Sequence, residues 1–133
     1  MLLTKKTEYA ILSLVAIAKS TTPKNVDLLS KELNIPKPYL AKILQSFSKS
    51  DILTSYKGIN GGFVLAMPPE NISLLKITAI SEDKAISVFE CSPTIESCPS
   101  NKAHNCNLWP TLNKLQIKIE DFLEKITLKD IMQ

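Results

Sequence analysis

The sequence predicts an α+β fold that is mainly α, and three observations predict it. Two short helical segments, Val26 to Leu33 and Tyr39 to about Ser48, are separated by the breaker Asn34-Ile35-Pro36-Lys37-Pro38. An alternating run, Ile52 to Lys57, enters Gly58-Ile59-Asn60-Gly61-Gly62 and returns as Phe63 to Ala66, which is a β-hairpin pattern. Near the end, Leu108, Leu112, Leu115, Ile119, Phe122 and Ile126 are spaced 4, 3, 4, 3, 4, an a/d seam. Two helices, a tight turn and a glycine-tipped hairpin in that order describe a winged helix-turn-helix. The expected organisation is a winged helix-turn-helix over residues 1–82, a cysteine-rich loop over 83–107, and a dimerisation helix with a tail over 108–133.

Each element has a local cause. Thr4 can cap a first helix running to about Lys19, with Tyr9, Leu12, Val15 and Ala16 at helical spacing. Asn25 can cap the second helix, whose apolar residues are Leu28, Leu29 and Leu33. Pro38 suits the first turn of the third helix. Leu40, Ile43, Leu44 and Phe47 form its buried stripe, and Lys37, Ala41, Lys42, Gln45 and Lys49 lie opposite. Ile72 to Ser81 reads as a fourth helix, Ala85 to Phe89 as a short extended piece, and Leu128 to Ile131 as a tail. The a/d seam could pack on its own domain. Its regularity at the end of a small chain favours a dimer helix, with Leu108, Leu112, Leu115, Ile119, Phe122 and Ile126 at the interface.

Composition bounds the function. The 133 residues amount to one ordinary domain, and 44% hydrophobic content is enough to bury a core. Net charge is only +3, too little by itself to imply nucleic acid. All 16 basic residues are lysines, so the bidentate arginine–guanine contact is absent. Lys5-Lys6 followed by Ala10 to Ala18 imitates a signal peptide, but Glu8 and Tyr9 interrupt it and the cysteine count is odd. The expectation is a cytoplasmic protein with reduced thiols and no membrane association, since no apolar run reaches the roughly 20 residues a span requires. There is no phosphate loop, no dinucleotide fingerprint and no Ser–His–Asp set, so an enzyme is not expected.

All 3 cysteines, Cys91, Cys98 and Cys106, fall in one window with the only histidine, His104. Thiolates that must converge on a metal or cluster need such clustering. The spacing is C-x6-C-x7-C, too wide for the close pairs of structural zinc. A cluster tolerates wider spacing. A reversible disulfide among the three is the alternative, as are unused thiols.

A duplex would meet the third helix and the hairpin tip. The candidate contacts are Lys37, Pro38, Tyr39, Lys42 and Gln45 on the helix and Lys57, Gly58, Asn60 and Gly61 on the wing. Gln45 can pair with adenine, and Lys42 can reach guanine or a phosphate. Without arginine, phosphate contact and shape readout should dominate, so binding should fall steeply with salt. A winged helix can also serve protein contacts alone, and exposed lysines can simply be solvated.

The chain resembles the Rrf-two family of bacterial winged-helix regulators, IscR/NsrR-type, along nearly its whole length. Leu3-Thr4-Lys5-Lys6-Thr7-Glu8-Tyr9-Ala10 is similar to the family's opening helix, and Tyr39-Leu40-Ala41-Lys42-Ile43-Leu44 to its recognition helix. Lys57-Gly58-Ile59-Asn60-Gly61-Gly62-Phe63-Val64-Leu65 resembles its wing, with Lys57 where arginine is usual. The cysteine loop, the Leu-Trp start of the long helix and Ile126-Thr127-Leu128-Lys129-Asp130 complete the match. The resemblance implies a homodimer joined through the long helix. It implies a 2Fe–2S or 4Fe–4S iron–sulfur cluster on Cys91, Cys98 and Cys106. In one branch the fourth ligand is a histidine just after the third cysteine, which this chain lacks. In another it is an acidic residue early in the first helix of the partner subunit, and Glu8 matches that position. Glu8 also suits an ordinary first-turn glutamate, and His104 is a further option as ligand or as a group hydrogen-bonded to one.

The expected function is a DNA-binding transcriptional regulator, a repressor, whose operator affinity is switched by the cluster. A thiol-switched regulator of the same fold is the alternative, and a protein-interaction module without DNA binding is the alternative from another class.

Overall fold

Residues 3–133 are described by a computed structural model. Helix α1 spans Lys5–Lys19, α2 Val26–Leu33 and α3 Lys37–Lys49. Strands β1 (Leu53–Tyr56) and β2 (Gly62–Leu65) form the wing. Helices α4 (Leu74–Glu82), α5 (Trp109–Lys125) and α6 (Leu128–Ile131) complete the regular structure among the described residues, with short 3-10 turns at Pro69–Asn71, Ile95–Ser97 and Ala103–Asn105. The winged helix-turn-helix of the sequence reading is present.

The helix starts follow from their caps. The side chains of Thr4, Asn25 and Ser73 accept backbone N–H groups of Thr7, Leu28 and Lys76 at the starts of α1, α2 and α4. Asn34 ends α2 in the left-handed region at φ 56, which asparagine tolerates, and Pro38 lies in the first turn of α3. The strands pair antiparallel from Leu53↔Leu65 to Tyr56↔Gly62. Lys24, between α1 and α2, exchanges two backbone hydrogen bonds with Phe63, at 3.1 and 2.8 Å, and extends the wing by one bridge.

The main core joins Ala10, Leu14 and Ile17 of α1 to Leu29, to the α3 stripe Leu40, Ile43, Leu44 and Phe47, and to Ile52, Ile72, Ile77 and Leu128. Full burial of Leu44 and Phe47 stabilises this junction by about 2 kcal/mol each. The stripe on α3 matches expectation. The phase of α1 does not: it buries Thr7, Ala10, Ser13, Leu14 and Ile17, while Leu12 is 42% exposed. Polar residues enter because each has an internal partner. Thr7 bonds Glu82, and Ser13 donates to the carbonyl of Tyr9 at 2.7 Å. In α2 only Leu29 is buried, and Leu28 faces out.

Ala85 to Phe89 lies outside helix and strand, and its backbone bonds to Gln116 of α5. One other expectation is corrected. Leu128 to Ile131 is not a tail. It is α6, opened by a reciprocal capping box between Thr127 and Asp130, and Leu128 is fully buried in the main core. Bonds from Leu74 N–H to the Ile126 carbonyl (2.7 Å) and from Leu128 N–H to the Ile72 carbonyl (2.8 Å) fasten it beside the start of α4.

Helix α5 faces its own chain with Gln116 and Leu123, which flank the a/d seam. The seam divides. Ile119 and Ile126 pack on a second cluster of Leu74, Ile86 and Leu123, and Leu112 is half-buried. Leu108, Leu115 and Phe122 remain exposed at 59%, 42% and 64%. Among the described residues, no helix is long and apolar enough to cross a membrane.

Candidate functional site

The outer face of α3 carries the predicted groups. Lys37, Pro38, Tyr39, Lys42 and Gln45 are all exposed. They are held there by the opposite stripe, which is buried. Lys37 is not a free cation: its Nζ lies 2.6 Å from Asp27 Oδ1 on α2, and this pairing lowers the Asp27 pKa. Tyr39 is steadied by Tyr9 of α1, edge to face, with ring centroids 5.6 Å apart.

At the wing, Gly61 N–H bonds the Gly58 carbonyl at 3.0 Å and closes a tight turn with Ile59 and Asn60 at its tip. Lys57, Gly58 and Asn60 are exposed. Gly61 is not, which corrects its assignment as a group meeting DNA. It is buried, and a Cβ there would lie 2.3 Å from the Tyr56 carbonyl oxygen. Gly62, at φ 145, has the backbone of Lys24 at 2.5 Å from the same position. These two glycines exist for packing inside the wing, not for close approach by a ligand.

The cysteine loop is built in two parts. Its first part is fastened to α5 by residues one and two turns apart on one helix face. Trp109 Nε1 donates to the Cys91 carbonyl at 2.9 Å. Asn113 Nδ2 donates to the carbonyls of Ser92 and Pro93 at 3.0 and 3.2 Å. Gln116, 1% exposed, accepts from Val88 N–H and Ser92 Oγ and donates to the Ile86 carbonyl and to Glu120. Cys91 is buried by this arrangement. The second part is two 3-10 turns, each followed at once by a cysteine: Ile95–Ser97 by Cys98 and Ala103–Asn105 by Cys106. Both thiols are half-buried. The Lys102 N–H points at Cys98 Sγ from 3.4 Å and, with further backbone N–H groups, holds the Cys98 thiol below its ordinary pKa.

All three cysteines are free thiols. Among the described residues of a single subunit, no three Cys, His, Asp or Glu side chains are grouped so as to hold a metal ion. Glu8 is exposed on α1 and paired with Lys5 at 2.9 Å. His104 is exposed. Sequence reasoning missed Glu82, which accepts from Thr4 and Thr7 and ties the end of α4, where the loop begins, to the start of α1. Gln116, which flanks the seam of α5, is the other residue that the loop depends on. The available signal was a glutamine one helical repeat from Trp109 in line with a core leucine, Leu123.

The model of the family described as "Rrf2: Iron-dependent Transcriptional regulator" matches residues 3–133. The chain belongs to the Rrf2 family. It is 29% identical to the HTH-type transcriptional regulator NsrR of Halalkalibacterium halodurans, over 99% of this chain and 90% of that one. It is 27% identical to the HTH-type transcriptional regulator IscR of Vibrio cholerae, over 99% of this chain and 75% of that one. Its fold matches that of CymR, the global cysteine regulator of B. subtilis, with a TM-score of 0.73 at 20% identity, covering 99% and 96% of the two chains. This Rrf2 protein is therefore a helix-turn-helix transcriptional regulator and not an enzyme.

Proposed function

We propose that this Rrf2 protein is a homodimeric repressor whose operator affinity is set by an iron–sulfur cluster on Cys91, Cys98 and Cys106. The observation that carries the reading is the loop: three free thiols on one segment, rooted on α5 by Trp109, Asn113 and Gln116. The donors suit the group in kind. Thiolates are its preferred ligands, and an N–H directed at Cys98 Sγ favours the thiolate. When bound, a cluster supplies a redox- and iron-responsive crosslink between its ligands. Glu8, on the exposed face of α1, is the candidate fourth ligand from the partner subunit, with His104 as the alternative. The exposed seam residues Leu108, Leu115 and Phe122 supply the dimer contact.

The switch works through elements already joined. The loop leaves α4 at Glu82, and Glu82 is hydrogen-bonded to the start of α1. Helix α1 packs on α3, so a change in the loop is felt at the helix that meets DNA. Gln45 reads the groove and Lys42 reaches a phosphate beside it, while Lys57 and Asn60 reach the backbone or minor groove from the wing.

Anaerobic purification tests this. A brown protein containing iron and acid-labile sulfide, bleached in Cys98→Ala with loss of operator regulation, is the expected result. Glu8→Ala and His104→Ala then identify the fourth ligand. A colourless protein without iron or sulfide overturns the cluster. The lowered Cys98 pKa favours a second reading, a thiol switch, which predicts operator affinity that follows a thiol oxidant and returns with reductant.

A further inference from the structure

Among the described residues, four lysines are already ion-paired: Lys5 with Glu8, Lys24 with Glu32, Lys37 with Asp27 and Lys125 with Asp121. Lys6, Lys42 and Lys49 are not among them, and they line one depression of about 380 Å³ together with Ser46, Ser50, Ile80 and Asp83. Lys6 comes from α1, Lys42, Ser46 and Lys49 from successive turns of α3, and Asp83 from the residue that ends α4. Three cations line it against one lining carboxylate, Asp83, with the Glu82 carboxylate also near Lys6, so positive charge is in excess. Like charges held near one another raise the free energy of the free protein, and a bound anion relieves it.

We infer that Lys6, Lys42 and Lys49 form a cradle for the sugar-phosphate backbone of the duplex, beside the groove that α3 enters. This deepens the DNA-binding reading and rests on it. Lys42 borders both this cradle and the depression at the start of α3 lined by Pro36, Pro38 and Tyr39, so the two are one continuous surface. Lysine is a point charge with rotatable donors, suited to phosphate and poor at base discrimination. The cradle therefore supplies affinity and register, not sequence choice. In a chain without arginine and with a net charge of only +3, a local group of three lysines outside the ion pairs supplies positive charge that the overall balance does not.

Asp83 is the restraint. It sits in the wall of the cradle at φ 56, and it is the first residue after α4 on the way into the cysteine loop. Its carboxylate opposes a phosphate there. Asparagine accepts the same left-handed conformation, so Asp83→Asn removes the charge without changing the backbone.

The experiment measures the affinity of the full-length protein for operator and for random duplex across 50–200 mM chloride. Lys6→Gln, Lys42→Gln and Lys49→Gln should each lower the slope of log K against log salt by about 0.9 per bound subunit. Each should weaken operator and random DNA by the same factor, leaving their ratio unchanged. Asp83→Asn should tighten binding to both, a gain that misfolding cannot produce. Unchanged slopes, or a loss confined to the operator, overturn the cradle. Inorganic phosphate at matched ionic strength separates a backbone site from a pocket for a free anion. Equal affinity in both salts is expected, and a specific loss in phosphate overturns the proposal. If the wild-type protein binds no duplex at all, the DNA reading itself fails, which is a different result from wild-type binding with unaltered variants.

Discussion

Trp109 Nε1 donates a hydrogen bond to the carbonyl of Cys91 at 2.9 Å, so the first residue of the long helix holds the first cysteine of the loop. Trp109→Phe keeps an aromatic, though smaller, side chain and removes the donor. The cost should be about 1 kcal/mol in urea unfolding. The informative readout is local. Cys91 is buried, so its reaction with a thiol reagent under native conditions should become faster in the variant. An unchanged rate would mean that the bond does not restrain the loop.

Gln116 is the larger fastening. It makes four hydrogen bonds from a fully buried site, to Val88, Ser92, Ile86 and Glu120. Gln116→Leu fills the same volume but leaves the Val88 N–H and the Ile86 carbonyl without this partner. A loss of about 3 kcal/mol in stability is expected. Increased hydrogen exchange should be confined to the segment around 86–93 and the facing turns of α5.

Glu82 links stability to pH. Its carboxylate accepts from Thr4, and also from Thr7 at 3.0 Å, and these bonds hold its pKa below the ordinary carboxylate value. A depressed folded pKa means that the unfolded chain binds the proton more readily. The contribution is therefore fully present above the ordinary carboxylate pKa and is lost as pH falls through the folded value. Glu82→Gln should flatten that part of the acid stability profile, measured by thermal unfolding from neutral pH downward. An unchanged profile would show that these bonds are not maintained in solution.

The wing glycines should separate by packing. Gly62→Ala meets the Lys24 backbone at 2.5 Å and a φ of 145, so both space and conformation oppose it. Gly58→Ala has open space and only an unfavourable φ of 104. The second should cost about 1 kcal/mol and the first clearly more, with loss of the Lys24–Phe63 bridge in the amide spectrum.

The open seam predicts assembly. Phe122→Glu and Leu115→Asp alter exposed positions, so the subunit should stay folded while sedimentation reports a monomer. Operator affinity should fall by about a hundredfold or more as the two half-sites lose their linkage. A dimer that survives both substitutions would move the interface elsewhere.

Much was legible along the chain because it is written locally. The caps Thr4 and Asn25, the proline entry to α3, the alternating hairpin and the stripe Leu40, Ile43, Leu44 and Phe47 each follow from neighbours within a turn or two. The phase of α1 was misjudged because Thr7 is buried by a partner, Glu82, that lies 75 residues away. The end of the chain was read as a tail because nothing near Leu128 says that Ile72 and Leu74 will bond the backbone beside it.

By itself the sequence determined the winged helix-turn-helix, the grouping of Cys91, Cys98 and Cys106 on one loop, and the apolar seam of α5. Periodicity, capping and composition are short-range properties, and they suffice for that. Only the tertiary structure decided that Gln116 and Trp109 root the loop, that half of the seam is consumed by the chain's own core, and that Lys37 is paired while Lys6, Lys42 and Lys49 converge. Those facts depend on which distant groups meet, and a buried polar side chain or a cation takes its role from its partner rather than from its place in the sequence.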